Sequence, residues 1–175
     1  MRVCTRLFIC AVLAVPLLAT TLEQLTLDEM IQKSSTIVRA RVTGSHSAEH
    51  GADIYTYSEL QVLEAWKGPA ITEVAVPGGV AHGIRQSVIG APELKSGQEY
   101  VLFLWTSHSG ITQVIGLSQG LFKLSPGTST GMIAQRPSAS ELMVDRSGSP
   151  VEDGPVNIPL QDLRARVRQA LGAAK

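Results

Sequence analysis

The chain reads as mainly β, a small OB-like antiparallel β-barrel with a short helix before it and a helix after it. Three observations predict this class. Runs of period-two hydrophobic alternation recur from Thr36 to Leu124, glycine- and proline-containing turns punctuate them, and helical spacing of apolar residues is confined to the two ends. One strand, Ile54 to Trp66, is long and changes its apolar face partway, which predicts a bulge of the kind that closes small barrels.

The chain opens with a segment of another kind. Arg2 and Arg6 precede an apolar run from Leu7 to Leu18, and Ala19 follows as a small residue. This is the layout of a secretory signal peptide over residues 1–19, cleaved near Ala19. The run is about 12 residues and contains Pro16, whereas a membrane-spanning helix needs about 20. The reading is therefore export without a stable membrane anchor after cleavage, to the periplasm or outside the cell. Cys4 and Cys10, the only cysteines, lie in the leader, so the mature domain over residues 20–175 is cysteine-free and cannot use disulfides.

Each element has a local reason. Thr26 and Glu29 have capping-box spacing, and Leu27, Met30 and Ile31 share a face, which predicts a helix over 27–33. Val38, Ala40 and Val42 alternate with Ile37, Arg39 and Arg41 as a half-buried strand. Gly44 to Ala52 reads as a polar connection into the long strand. Ile71 to Val76 is a third strand, stopped by Pro77-Gly78. Gly79 to Gly90 reads as a weak hairpin. Tyr100 to Trp105 is apolar on both faces and reads as the central strand. Ser107 to Gly110 turns into Ile111–Ile115, and Leu121–Leu124 follows as a further strand. Residues 125–158 are rich in Ser, Gly, Pro and Thr and read as an irregular excursion with one strand at Glu141–Val144. Leu160, Leu163, Val167 and Leu171 predict a C-terminal helix over 159–172, placed with its partner over an open edge or barrel mouth.

Charge excludes some functions. The whole chain carries 15 basic and 15 acidic residues, and loss of Arg2 and Arg6 leaves 13 against 15. There is no basic footprint for nucleic acid and no polybasic stretch for anionic lipid. Arg164, Arg166 and Arg168 in the last helix read as a solvated face.

The motifs that suggest chemistry fail their context. Gly116-Leu117-Ser118-Gln119-Gly120 matches G-x-S-x-G, but the nucleophile elbow needs a helix after it and a histidine further on. A strand follows here, and His108 is the last histidine, so this is a turn between strands. His46, Glu49 and His50 match H-x-x-E-H, whose zinc chemistry needs a helix to bring both imidazoles together. The flanking Gly44 and Gly51 predict a solvated loop instead, leaving these three as the candidate metal ligands. His82 and His108 read as isolated turn residues. No phosphate cradle or other cofactor motif occurs, so no cofactor and no catalytic residue is assigned. Tyr55 and Tyr57 alternate along the long strand, either as a stacking platform or as packing under a loop.

An ordered set of short motifs resembles a group of uncharacterised exported bacterial proteins. It comprises Ser35-Thr36-Ile37-Val38 with Val42, Tyr55-Thr56, Val62 to Gly68 ending in Trp66-Lys67-Gly68, Val76-Pro77-Gly78-Gly79, Gly97 with Tyr100 to Leu104, and Gly116 to Phe122. The layout also resembles the OB-type barrel of tissue inhibitors of metalloproteinases and netrin-like modules. That resemblance implies a fold, with no site residues transferred. Those inhibitors use an N-terminal cysteine on the protease zinc, which this mature chain lacks. The expected function is an exported, non-enzymatic binding or interaction module for an envelope or extracellular partner. The alternatives are a regulator or inhibitor of a secreted protease, and a metal-binding protein using the 46–50 loop.

Overall fold

A long hairpin organises the molecule. In the computed structural model, which describes residues 21–127 and 131–173, β2 (Thr36–His50) and β3 (Asp53–Lys67) pair antiparallel around a turn at Gly51-Ala52. The remaining elements are β1 (Thr21–Glu23), α1 (Leu27–Lys33), β4 (Glu73–Pro77), β5 (Gly79–Ala81), β6 (Ile84–Gln86), β7 (Glu99–Thr106), β8 (Thr112–Val114), β9 (Leu121–Pro126), β10 (Met132–Arg136), β11 (Leu142–Val144), β12 (Pro150–Val151), β13 (Val156–Pro159) and α2 (Leu160–Ala173). Among the described residues strand makes up 50% and helix 14%, which defines a mainly β fold. The signal peptide expected over residues 1–19 lies outside the described residues.

The main sheet runs β13-β10-β9-β7-β2-β3-β4-β8, and β8 also pairs with β7. The pairings of β7, β2, β3, β4 and β8 therefore run round in a cycle. Two pairings depart from the expected antiparallel rule. β4 meets β8 in parallel at Ala75 and Gln113, and β1 runs parallel to β11.

Three register shifts bend the hairpin. Leu63 and Trp66 are extra residues on β3, and Thr43 is extra on β2. A single inserted residue exchanges the two faces of a strand, so the bulge at Leu63 keeps Glu64 opposite Arg39 on the outer side while Leu60 packs in the core. The predicted change of face thus has a local cause.

Tertiary packing forms two apolar clusters that share β7. Tyr100, Leu102 and Leu104 join Val38, Ala40, Val42, Leu60 and Val74 on one side. Val101 and Phe103 join Ile31, Phe122, Leu163 and Val167 on the other. β7 is central, as its two-sided apolar pattern requires.

The helices depart from expectation in position. α1 and α2 bury Met30, Ile31, Leu163 and Val167 in the cluster against β7, β9 and β10, so they cover a sheet face, whereas an open edge or mouth was expected. The helix start at Thr26 is a complete capping box. At the other end of α1, Lys67 Nζ donates to the carbonyls of Ile31 (2.7 Å) and Gln32 (2.9 Å), satisfying groups that a helix leaves unpaired.

The excursion is also more regular than its composition predicts. β10 pairs with β9 and β13, extending the sheet beyond β7. The following segment is pinned by Arg136 and Asp153, an ion pair at 2.8 Å whose side chains are 9% and 4% exposed. Asp153 also accepts from the Ala139 amide at 2.7 Å. Polar side chains supply this anchoring, and hydrophobic periodicity carries no trace of it.

Candidate functional site

The segment expected to be a solvated loop is the far half of β2. His46, Glu49 and His50 therefore lie on a strand, where alternate residues point to opposite faces. His46 and His50 share one face but stand about 13 Å apart along the chain, and Glu49 points to the other. The three cannot meet on one ion. Among the described residues no group of three or more His, Cys, Asp or Glu side chains is placed to hold a metal.

The two histidines belong to an aromatic strip instead. His46 lies opposite Tyr57 in the β2–β3 register and stacks on it, with ring centroids 5.4 Å apart and planes 15° off parallel. His50 meets Tyr55 edge-on at 6.3 Å, and Tyr55 lies 6.3 Å from Tyr57.

Register continues this strip around the outside of the strand cycle. Tyr57 is opposite Ala75 on β4, Ala75 is opposite Gln113 on β8, and Gln113 is opposite Trp105 on β7. Residues opposite one another share a face, so His46, Tyr57, Ala75, Gln113 and Trp105 form one row across five strands. Ala75 is the small residue at its centre and sits in the floor of two clefts. One, of about 440 Å³, is bounded by His50, Tyr57, Glu73, Gly110 and Thr112. The other, of about 420 Å³, is bounded by Lys33, Pro77, Trp105, Gln113 and Leu117. Trp105 is 39% exposed despite its size.

Electrostatics keep this surface neutral to acidic. Burial pushes the Tyr57 phenol up from its ordinary value, and the nearby Glu73 carboxylate and Tyr55 push it the same way. Tyr57 thus stays a neutral hydroxyl that can both donate and accept. Lys33 is the one cation among the residues bounding the two clefts.

The other motifs resolve as structure. Residues 115–120 turn between β8 and β9, with Gly116 and Leu117 both at φ 61°. Gln119 is 1% exposed, and its side chain accepts from the Leu25 amide at 2.8 Å and donates to the Glu23 carbonyl at 3.0 Å. The G-x-S-x-G stretch therefore clasps the segment after β1. His82 occupies the β5–β6 turn at φ 50°, and His108 is exposed in the β7–β8 turn.

The arginines of α2 lie on the surface, as expected, and two of them pair with acidic residues there. Arg166 makes a two-pronged pair with Asp28 of α1, and Arg164 lies 3.1 Å from Glu64. Glu64 also pairs with Arg39 (3.1 Å), which reaches Glu99 (2.8 Å), and Glu99 takes Arg41 as well. Hydrogen bonds from Arg39 and then Arg41 hold the Glu99 carboxyl below its ordinary range. Burial pushes Glu64 up, but the Trp66 indole, Arg39 and Arg164 together bring it lower.

The site residues absent from the sequence reading are Glu73, Ala75, Trp105 and Gln113. They lie on three separate strands, β4, β7 and β8, and only pairing brings them together. The available local signal was the alternation of Tyr55 and Tyr57 with histidines four apart on the preceding segment. Comparison with protein-family models and with curated proteins returns no match.

Proposed function

We propose that the mature chain is an exported, non-enzymatic binding module that takes its partner on the outer face of β3 and β4. In this reading the five-strand cycle is an OB-like barrel. The order β2-β3-β4-β8-β7 with one parallel closing pair supports that assignment. OB-type barrels bind on the face of their second and third strands, between the loops after the first and fourth. Here that region is the cleft of His50, Tyr57, Glu73 and Gly110, between the β2–β3 and β7–β8 turns. The aromatic row is the observation that carries the reading: large rings left partly in solvent on a sheet face are costly unless something covers them.

The leader-like layout of residues 1–19 supports a location in the periplasm or outside the cell, and the lack of a basic footprint argues against nucleic acid as partner. Among the described residues no helix is long and apolar enough to cross a membrane. The test is a photocrosslinking residue placed at position 57 or, as a control, at exposed position 168, in tagged full-length protein in its native cells. Adducts from position 57 alone, in the envelope or medium fraction, are expected. Equal adducts from both positions, or retention in the cytoplasm, overturn the proposal.

A further inference from the structure

We infer that the row His46–Tyr57–Ala75–Gln113–Trp105 is a track for an uncharged oligosaccharide. This rests on the binding-module reading and names its ligand class.

The first argument is the backbone. β3 pairs with β2 and β4, β4 with β3 and β8, and β8 with β4 and β7. Along the middle of the row the strands therefore have partners on both sides. Peptides that join a sheet do so through main-chain hydrogen bonds at an open edge. A ligand lying across this face must be held by side chains alone.

The second argument is the chemistry of those side chains. The row presents aromatic rings toward both ends, at His46 and Tyr57 and at Trp105, with a methyl-sized floor at Ala75 between them. Beside the rings stand an amide (Gln113), a phenol kept neutral (Tyr57), a hydroxyl (Thr112) and a carboxylate (Glu73). Sugar rings have the complementary construction: C–H faces that lie on aromatic rings, edged with hydroxyls that both donate and accept. Few precisely placed polar groups on an otherwise apolar surface is the general design of a small-molecule site.

The third argument is charge. Glu73 borders the Tyr57 cleft and Lys33 the Trp105 cleft, so the track offers no cationic run. Nucleic acids and polyanionic glycans are bound through several basic groups, which excludes them here. Four strand spacings of about 4.8 Å make the row about 19 Å along the curved outer surface, so a chain of several sugar units covers more of it than a monosaccharide.

The probes are N-acetylglucosamine oligomers of two, four and six units, with a heparin-derived hexamer and a proline-rich peptide as controls, titrated into isotopically labelled mature protein. Amide shifts at Tyr57, Ala75, Gln113 and Trp105 are expected with the uncharged oligomers, with affinity rising from two to six units. Tyr57→Ala and Trp105→Ala should each weaken binding about ten-fold, as truncation of an aromatic anchor does, while Arg168→Ala leaves it unchanged. Circular dichroism and urea midpoints verify that each variant is folded, and Tyr57→Phe, which keeps the ring, should retain most of the affinity. No shift with any uncharged oligomer, binding of the anionic or peptide control instead, or binding indifferent to Tyr57 and Trp105 overturns the inference. In the first two cases a position-57 crosslink still obtained in cells leaves the binding-module reading standing, and its absence removes both.

Discussion

Gln119→Leu tests whether the G-x-S-x-G stretch is a structural clasp. The amide of Gln119 makes two hydrogen bonds to main-chain groups of residues 23 and 25 and is 1% exposed. Leucine keeps most of the volume and removes both bonds, leaving a Leu25 N–H and a Glu23 carbonyl in a partly buried setting. A buried polar group left unmatched costs about 1–3 kcal/mol, and partial access to water puts the pair in the lower half, at about 2–4 kcal/mol in total. For a domain of this size that corresponds to a melting temperature lower by about 4–15 °C. Urea unfolding measures the global loss, and amide exchange from Leu22 to Leu25 measures its location, because β1 is otherwise held by its pairing to β11 and by Gln24 to Val144. Ser118→Ala is the matched control. It lies one residue away and should change stability by no more than about 0.5 kcal/mol. A Gln119→Leu protein within 0.5 kcal/mol of the parent, with unchanged exchange at residues 22–25, refutes the clasp.

Two further outcomes follow from the polar anchors. Asp153→Ala leaves the Arg136 guanidinium buried without its carboxylate, a loss of about 3–5 kcal/mol; the urea midpoint should fall accordingly and proteolysis should begin between residues 137 and 155. Glu99 is held below the ordinary carboxylate range by Arg39 and Arg41, so its stabilising contribution is complete above the unfolded value of about 4.3 and is lost as pH falls through its lower folded value. Acid titration of stability should therefore fall less steeply below pH ~4.3 in Glu99→Gln than in the parent, and equal slopes in the two would refute the pairing.

Much of the fold was legible because its causes are local. The capping residues Thr26 and Glu29 sit three apart and specify the start of α1 without help from any distant group. The apolar run of Tyr100 to Leu104 demands burial on both faces, and β7 has a hydrophobic cluster on each. The strand after Gly120 and the lack of a histidine downstream of Ser118 exclude a nucleophile elbow from the sequence alone.

The far half of β2 has no hydrophobic face to announce it, which is why its residues read as a loop in the sequence. Its hidden side is lined by hydroxyls: Ser47 and Thr56 lie 3.3 Å apart, and Thr56 donates to the Gly78 carbonyl at 2.8 Å. At Gly79 a Cβ would come within 2.6 Å of Ser47 Oγ, so β5 approaches this surface too closely for any larger residue. Burial here is polar, and period-two hydrophobicity cannot report it. The same holds for the Arg136–Asp153 anchor that follows the apolar part of β10.

The sequence by itself determined the mainly β class, the two helices and the two-sided central strand, since each depends on spacing within about ten residues. Tertiary structure alone decided which side chains stand side by side. The row from His46 to Trp105 draws on positions 46, 57, 75, 113 and 105, and its order is set by strand pairing, including one parallel contact and three inserted residues. A single-residue slip in any of those pairings would move the row to the opposite face. Register belongs to the assembled sheet, and no stretch of chain carries it alone.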